Sequence, residues 1–324
     1  MKILIIGAGS IGCLFGVKLA LKSHEITAIG SNNVYMTIQK QGFIFEVDGK
    51  KYSKFPSFHF FSKDSFYEEY SNEAHTLFFD YCIVACKSYS LSQIISEYHY
   101  ILSQFSRIFL LQNGLGNEEI LKLKYPEMNV YRIISTMGAE LVANHHLIQT
   151  GSGLNYVCHI SSFICETPFD LNDIEPIHYF VQILNEADIS TEISEKSLQK
   201  IWEKAIVNMV INPIGALWRK TNGELLTLSY FWEIAEDIIS EILSILDEYK
   251  ISINSKDQLL QIIKNILQLT QQNSNSMLQD LKRNKHTEIE FLNQKVVDLA
   301  KNKKKTAPFN RLVVNLVKGI EKRN

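Results

Sequence analysis

Residues 2–6 read Lys-Ile-Leu-Ile-Ile and run straight into Gly7-Ala8-Gly9-Ser10-Ile11-Gly12. A short β-branched run that stops at a glycine has the pattern of a buried parallel strand. A G-x-G-x-x-G sequence between such a strand and a helix is the turn that cradles a dinucleotide. Gly7 permits the tight turn, Gly9 lets backbone approach a pyrophosphate, and Gly12 lets helix and strand pack closely. Ser10 and Ile11 open the helix, where free amides and the dipole favour phosphate.

The same alternation continues down the chain. Strand patterns at 24–29, 78–86, 107–111 and 129–136 are separated by helical patterns at 11–23, 32–41 and 91–105. Residues 42–61 alternate around Asp48-Gly49, as in a hairpin-like insertion, and residues 147–162 suggest added antiparallel strands. A helix at 170–187 and a short strand at 189–193 follow. Strands alternating with helices imply an α/β, Rossmann-type, doubly wound parallel sheet. Residues 43–66 are rich in Phe and Tyr, which suits core or lid packing.

Glycine and proline then become scarce. Twelve of the 15 glycines precede residue 195, and neither residue type occurs between Glu224 and Ala307. Amphipathic patterns fall at 201–217, 229–249, 257–272, 288–301 and 309–322, so the second part reads as all-helical. The expected domains are 1–194, which binds dinucleotide, and 195–324, which carries substrate and catalysis.

Other classes are disfavoured. Net charge is −2, so nothing argues for a nucleic-acid partner, and Lys301, Lys303, Lys304 and Lys305 suit a solvated helix end. No segment has transmembrane length. The five cysteines read as reduced thiols, and no Cys/His set has metal-ligand spacing. A cytoplasmic enzyme without a metal is the expectation. The helical domain is compatible with a homodimer.

Cofactor choice turns on the end of the second strand. Ile29-Gly30-Ser31-Asn32-Asn33 has no carboxylate, which NAD sites use to bind ribose hydroxyls, and no Arg, which NADP sites use to grip the 2′-phosphate. Ser31 and Asn32 can donate to that phosphate without charge assistance. NADPH is the expected cofactor, with NADH left open.

In the helical part, Lys204, Asn208 and Asn212 recur at i, i+4 and i+8 and share one helix face. A lysine and two carboxamides among apolar neighbours are costly unless they bind something; a solvated stripe is the competing reading. A second segment, 275–290, offers Ser276, Asp280 and Glu288.

Together these residues resemble the ketopantoate reductase family, within the group that has a 6-phosphogluconate-dehydrogenase-like helical C-terminal domain. The resemblance spans nearly the whole chain. It rests on Gly7 to Gly12, Lys87, Gln112-Asn113-Gly114-Leu115-Gly116, Lys204, Asn208, Asn212-Pro213 and Asn222-Gly223-Glu224-Leu225. Ser276-Met277-Leu278-Gln279-Asp280 and His286-Thr287-Glu288-Ile289 complete it. It implies NADPH-dependent reduction of a 2-keto acid, 2-dehydropantoate, on the route to pantothenate and coenzyme A. By the resemblance, Lys204 is the general acid and Glu288 the acidic residue that binds and orients substrate. Asn208, Asn212 and Ser276 hydrogen-bond its ends, and Asn113 and Lys87 lie near the nicotinamide ribose. Ser31 departs from the Arg usual in the family. A reductase of another 2-keto acid and a non-catalytic NADP sensor are the alternatives.

Overall fold

Strand β1 (Lys2–Ile6) divides its side chains between two cores. Ile3 and Ile5 enter one and Leu4 and Ile6 the other, all at most 1% exposed. A strand covered on both faces has no polar side to show, hence the unbroken apolar run. In the computed structural model, residues 1–70, 79–165, 167–168 and 174–321 are described. The chain divides into two compact units. The first comprises Met1–Gln112, Asn117–Ser162 and Glu166–Ser197; the second comprises Asn113–Gly116, Phe163–Cys165 and Leu198–Asn324.

After β1 the first unit continues through α1 (Ser10–Leu21), β2 (Glu25–Ile29), α2 (Asn32–Gln41), β3 (Ile44–Val47), β4 (Lys50–Tyr52), β5 (Phe58–Phe61) and α3 (Lys63–Tyr70). Then come β6 (Tyr81–Val84), α4 (Leu91–Glu97), α5 (His99–Leu102), β7 (Arg107–Leu110), α6 (Asn117–Lys124) and β8 (Asn129–Ile134). It closes with β9 (Gly138–Ala143), β10 (His146–Gly151), β11 (Asn155–His159), α7 (Ile174–Glu186) and β12 (Thr191–Ile193). The main sheet has the order β12-β11-β8-β7-β6-β1-β2-β5. From β5 to β8 every pair is parallel. Counting only these six strands, the order is third, second, first, fourth, fifth, sixth: the doubly wound arrangement, with its switch point between β1 and β6. Strand β11 adds antiparallel to β8, and β12 runs parallel to β11.

A second sheet, β4-β3-β10-β9, is built from two insertions. Asp48 (φ 49°) and Gly49 (φ 74°) turn β3 into β4 as a two-residue hairpin, the primed-turn geometry that Asp-Gly favours. The pattern at 42–61 therefore contains two things. The hairpin belongs to the small sheet, whereas β5 is the third strand of the main sheet. The aromatic richness of 43–66 is core packing: Phe43, Phe45, Phe58, Phe60 and Phe66 are all buried. The Phe43 and Phe60 rings stand 4.9 Å apart.

Some element ends differ from the sequence pattern. The helix expected over 91–105 breaks at Tyr98 into α4 and α5. Helices α3 and α6 and strand β9 had no expectation: the two helices are short and at least half polar, and β9 is a short strand of small and apolar residues around Glu140 without strict alternation. Phe78, residues 170–173 and Lys322, included in the patterns above, lie outside the described residues.

The second unit contains α8 (Ser197–Trp218), α9 (Asn222–Leu226), α10 (Ser229–Glu248), α11 (Lys256–Leu269), α12 (Ser276–Lys282), α13 (Asn293–Asn302) and α14 (Pro308–Glu321). Helix α8 is buried almost all round, as an apolar helix in the middle of a bundle must be. The others show one buried face, for example Leu259, Ile263 and Leu267 on α11. Capping boxes start α9 at Thr221 with Glu224, and α11 at Ser255 with Gln258, each satisfying otherwise orphaned amides. No helix among the described residues is long and apolar enough to cross a membrane.

Candidate active site

The glycine turn forms in the first unit as its spacing requires. Gly7 has φ +116°, and a Cβ there would lie 2.4 Å from the Cys86 amide nitrogen. At Gly12 a Cβ would meet the Gly7 carbonyl oxygen at 2.1 Å, so only glycine lets α1 start this close to β1. Gly9 is the opposite case: a Cβ there would meet nothing within 4 Å. It faces open space above the α1 N-terminus. The amides of Gly7 and Ala8 donate to the Ile29 carbonyl at 2.9 and 3.0 Å. Those of Gly9, Ser10, Ile11 and Gly12 have no acceptor among the described residues. Four free donors, an uncovered glycine and a helix dipole fit a pyrophosphate.

Ser10 also has a structural task, since its Oγ accepts from the Leu141 amide of β9 at 3.2 Å. Ser31 caps α2, its Oγ accepting from the Val34 amide at 3.5 Å. The hydroxyl proton stays available to a ligand. Lys87 lies half-buried after β6.

Beside the β6 end lies a buried polar group that the sequence did not reveal. The Arg132 guanidinium is 2.7 Å from the Glu118 carboxylate and also donates to the Gln112 carbonyl at 3.0 Å. Gln112 donates to the Cys86 carbonyl at 2.9 Å, and Asn117 to the Ser88 hydroxyl at 3.0 Å. This network clamps both ends of the Asn113–Gly116 segment. Its members come from four separate places in the chain, and only a fold joins them.

Asn113 is exposed, on a segment that packs within the second unit. There the Leu115 amide donates to the Phe291 carbonyl at 2.7 Å. Gly114, at φ +83°, leaves no room for a Cβ against Phe291, which would be 2.6 Å away.

The stripe on α8 is made as its spacing predicts, and it is not a solvated one. Asn208 and Asn212 are 9% and 8% exposed and Lys204 is half-buried. None of the three side chains has a hydrogen-bond or ion-pair partner among the described residues. Burial pushes the Lys204 amine below the ordinary lysine range, because desolvation disfavours the charged form. Glu288 is buried, in the turn before α13, and it forms no ion pair with Lys204. Desolvation alone sets the direction of the shift. Ser276 opens α12 with its side chain exposed, while Met277 and Leu278 point inward.

Pro213 lies inside α8 and lacks the N–H that would bond the Met209 carbonyl four residues back. Asn293 of α13 supplies the donor at 3.1 Å. The same amide donates to Asn310 at 2.9 Å, and Asn310 donates to Glu241 at 2.7 Å. The proline advertised an orphaned carbonyl in the sequence; which side chain answers it could be seen only in the fold. The Asn222-Gly223 pair docks α9 on the chain after α11: the two amides donate to Asn273 and Gln271 carbonyls, each at 3.0 Å, and Asn222 Nδ2 to Thr270 at 2.8 Å.

Comparison with known proteins fits this arrangement. The family models described as ketopantoate reductase PanE/ApbA and its C-terminal domain match residues 3–161 and 196–321. The chain belongs to the ketopantoate reductase family. A curated 2-dehydropantoate 2-reductase of Pyrococcus horikoshii is 31% identical, covering 99% of this chain and 98% of its own. That of Archaeoglobus fulgidus is 27% identical over the same shares. Among solved structures, a D-mandelate dehydrogenase with NADH and anilino(oxo)acetate superposes with TM-score 0.87 at 21% identity, covering 100% of this chain and 99% of that one. A PanE/ApbA family ketopantoate reductase from Ralstonia eutropha gives 0.82 at 22%, with the same coverage. At these identities the two structures establish the fold: a Rossmann-type sheet domain followed by a helical domain, as in ketopantoate reductases.

Proposed function

We propose that this protein reduces 2-dehydropantoate to pantoate with NADPH, Lys204 serving as general acid. The observation that carries the reading is the α8 stripe: a desolvated, unpaired ammonium followed by two buried, unpaired carboxamides. Such groups are expensive to bury with nothing to bind. Their cost is repaid when a polar anion such as a 2-keto acid sits against them.

A nicotinamide cofactor held at the Gly9–Gly12 amides would supply the hydride for the ketone carbon. As negative charge grows on the ketone oxygen, Lys204 Nζ–H stabilises it and delivers the proton. Asn208 and Asn212 donate to substrate oxygens and fix its orientation. Ser276 donates to the carboxylate, and Glu288 accepts from the substrate hydroxyl. In the other unit, the amides from Gly9 to Gly12 hold the pyrophosphate. Asn113 and Lys87 contact the nicotinamide ribose. Ser31 takes the place of a charged grip on the 2′-phosphate. The lack of any carboxylate between Ile29 and Asn33 supports NADPH, because it removes the charge that would repel that phosphate.

The test is cofactor oxidation with a panel of 2-keto acids that includes 2-dehydropantoate. The expected result is the highest kcat/KM for 2-dehydropantoate and a ratio for NADPH over NADH above one. A larger kcat/KM for another 2-keto acid replaces the substrate assignment, and a ratio below one replaces the cofactor.

A further inference from the structure

Glu288 sits in the turn between α12 and α13, and the turn is buried where it carries this residue: Thr287 and Glu288 are 4% and 6% exposed. Two bonds inside the turn shape its backbone. Thr287 Oγ1 accepts from the Ile289 amide at 3.3 Å, and the Glu288 carbonyl accepts from the Phe291 amide at 3.0 Å. The Thr287 amide looks outside the turn for its acceptor, as a buried backbone N–H must when none is near. It finds one 34 residues away, donating to the Glu321 carboxylate at 2.7 Å.

The placement of Glu321 does not serve its own helix. It is the last residue of α14, at the negative end of the helix dipole, where a cation is favoured and a carboxylate is not. Lys318, one turn earlier on the same face, suits that end and bonds Glu290 at 2.6 Å. The last turn of α14 thus grips the 287–290 turn on both sides of Glu288. The two grips differ in strength. Glu290 is 59% exposed, so its pair with Lys318 is screened by solvent. The Glu321 bond reaches a buried amide and is the firmer hold.

We infer that Glu321 is a positioning residue for the reduction: by holding the Thr287 amide, it fixes the backbone that presents the Glu288 carboxylate to the substrate. It acts through Thr287 and needs no contact with the substrate itself. The inference rests on the proposed reductase reading, in which Glu288 accepts from the substrate hydroxyl. It gives the last turn of α14 a part in substrate affinity, because a binding group displaced by about 1 Å loses much of what exact placement supplies.

The experiment measures kcat and KM for 2-dehydropantoate, NADPH affinity by fluorescence titration, and Tm, all on the full chain. Glu321→Ala removes the acceptor. Glu321→Asp shortens the side chain by one methylene, so that the comparison does not depend on the stability of the Ala variant alone. Glu321→Gln keeps an acceptor oxygen at full length, and Lys318→Met removes only the exposed pair. Glu321→Ala is expected to raise KM about tenfold, the scale of one hydrogen bond to a charged group, and Glu321→Asp at least about threefold. In both, kcat and NADPH affinity stay within about twofold of wild type. Glu321→Gln and Lys318→Met are expected to keep KM within about twofold. A lowered Tm with unchanged KM in the Ala and Asp variants would show a merely structural role and overturn the inference. A Glu321→Gln protein with the same raised KM as Glu321→Ala would also overturn it, since an acceptor oxygen then fails to restore the position. A wild-type protein that does not reduce 2-dehydropantoate overturns the reductase reading, and the inference with it.

Discussion

At the scale of single residues, the energetics centre on Lys204. Replacing it with Ala removes the proton donor, so kcat is expected to fall at least about a hundredfold, the lower end for a general acid. Cofactor affinity should be nearly unchanged, and fluorescence titration with NADPH checks this. Near-wild-type turnover would remove Lys204 from that role. Its lowered pKa gives two further expectations. A general acid must be protonated, so kcat should decline as pH rises, with a midpoint below the ordinary lysine value of about 10.4. A decline only above that value would contradict it. Stability runs the other way. Burial disfavours the charged form in the folded state, so the penalty is present below the folded pKa and disappears as pH climbs towards the unfolded value. Lys204→Met should therefore raise the Tm of the free protein at pH 7, and the gain should shrink by pH 10. A Tm that is unchanged or lower at pH 7 would count against a desolvated ammonium. The four-residue spacing that pointed to this lysine was legible because helix geometry turns spacing into a shared face. Its burial and its lack of partners were not, since both depend on which distant parts of the chain pack around α8.

At the scale of elements, α8 is the least ordinary. It is long and carries an internal proline, and the carbonyl freed by Pro213 is answered from another helix by Asn293. Asn293→Ala would leave that carbonyl and the Asn310 amide oxygen buried without a donor, which costs about 1–3 kcal/mol. Urea unfolding should show this loss, together with a higher KM for the keto acid, because Asn212 immediately precedes the proline. A variant with wild-type stability would mean that water fills the gap. Long elements with strong periodicity, such as α10 and α14, could be read from the sequence because each carries enough residues to average out exceptions. The break at Tyr98 and the short helices α3 and α6 could not, because a few polar residues fit helix and loop equally well. Strand β5 was read as part of a hairpin for a related reason: its partner β2 is chosen by the sheet and not by nearby turn chemistry.

At the scale of the whole molecule, the second unit is not a continuous stretch of chain. It recruits Asn113–Gly116 and Phe163–Cys165 from within the span of the first. The Leu115 amide bonds the Phe291 carbonyl, and Trp202 Nε1 donates to the Phe163 carbonyl at 2.7 Å. Trp202 itself is fully buried. A fragment that begins at Leu198 would lack both partners, although the change in glycine and proline content makes a cut near 194 look natural. Such a fragment is expected to melt at lower temperature than the full chain's helical signal and to bind a hydrophobic dye that the full chain does not. Equal melting temperatures would show that the two segments are dispensable.

The pairing of Leu115 with Phe291 also sets a clock on synthesis. Their separation is 291 − 115 = 176 residues. At translation speeds of about 5–20 residues per second, roughly 9–35 s pass between the two emerging from the ribosome. Throughout that interval the nascent first unit must hold a glycine-rich loop with nothing to dock on. Such a loop has to stay ordered at its ends and idle in its middle, and the Arg132 contacts to Glu118 and the Gln112 carbonyl, all within the first unit, can form at its ends before Phe291 is made.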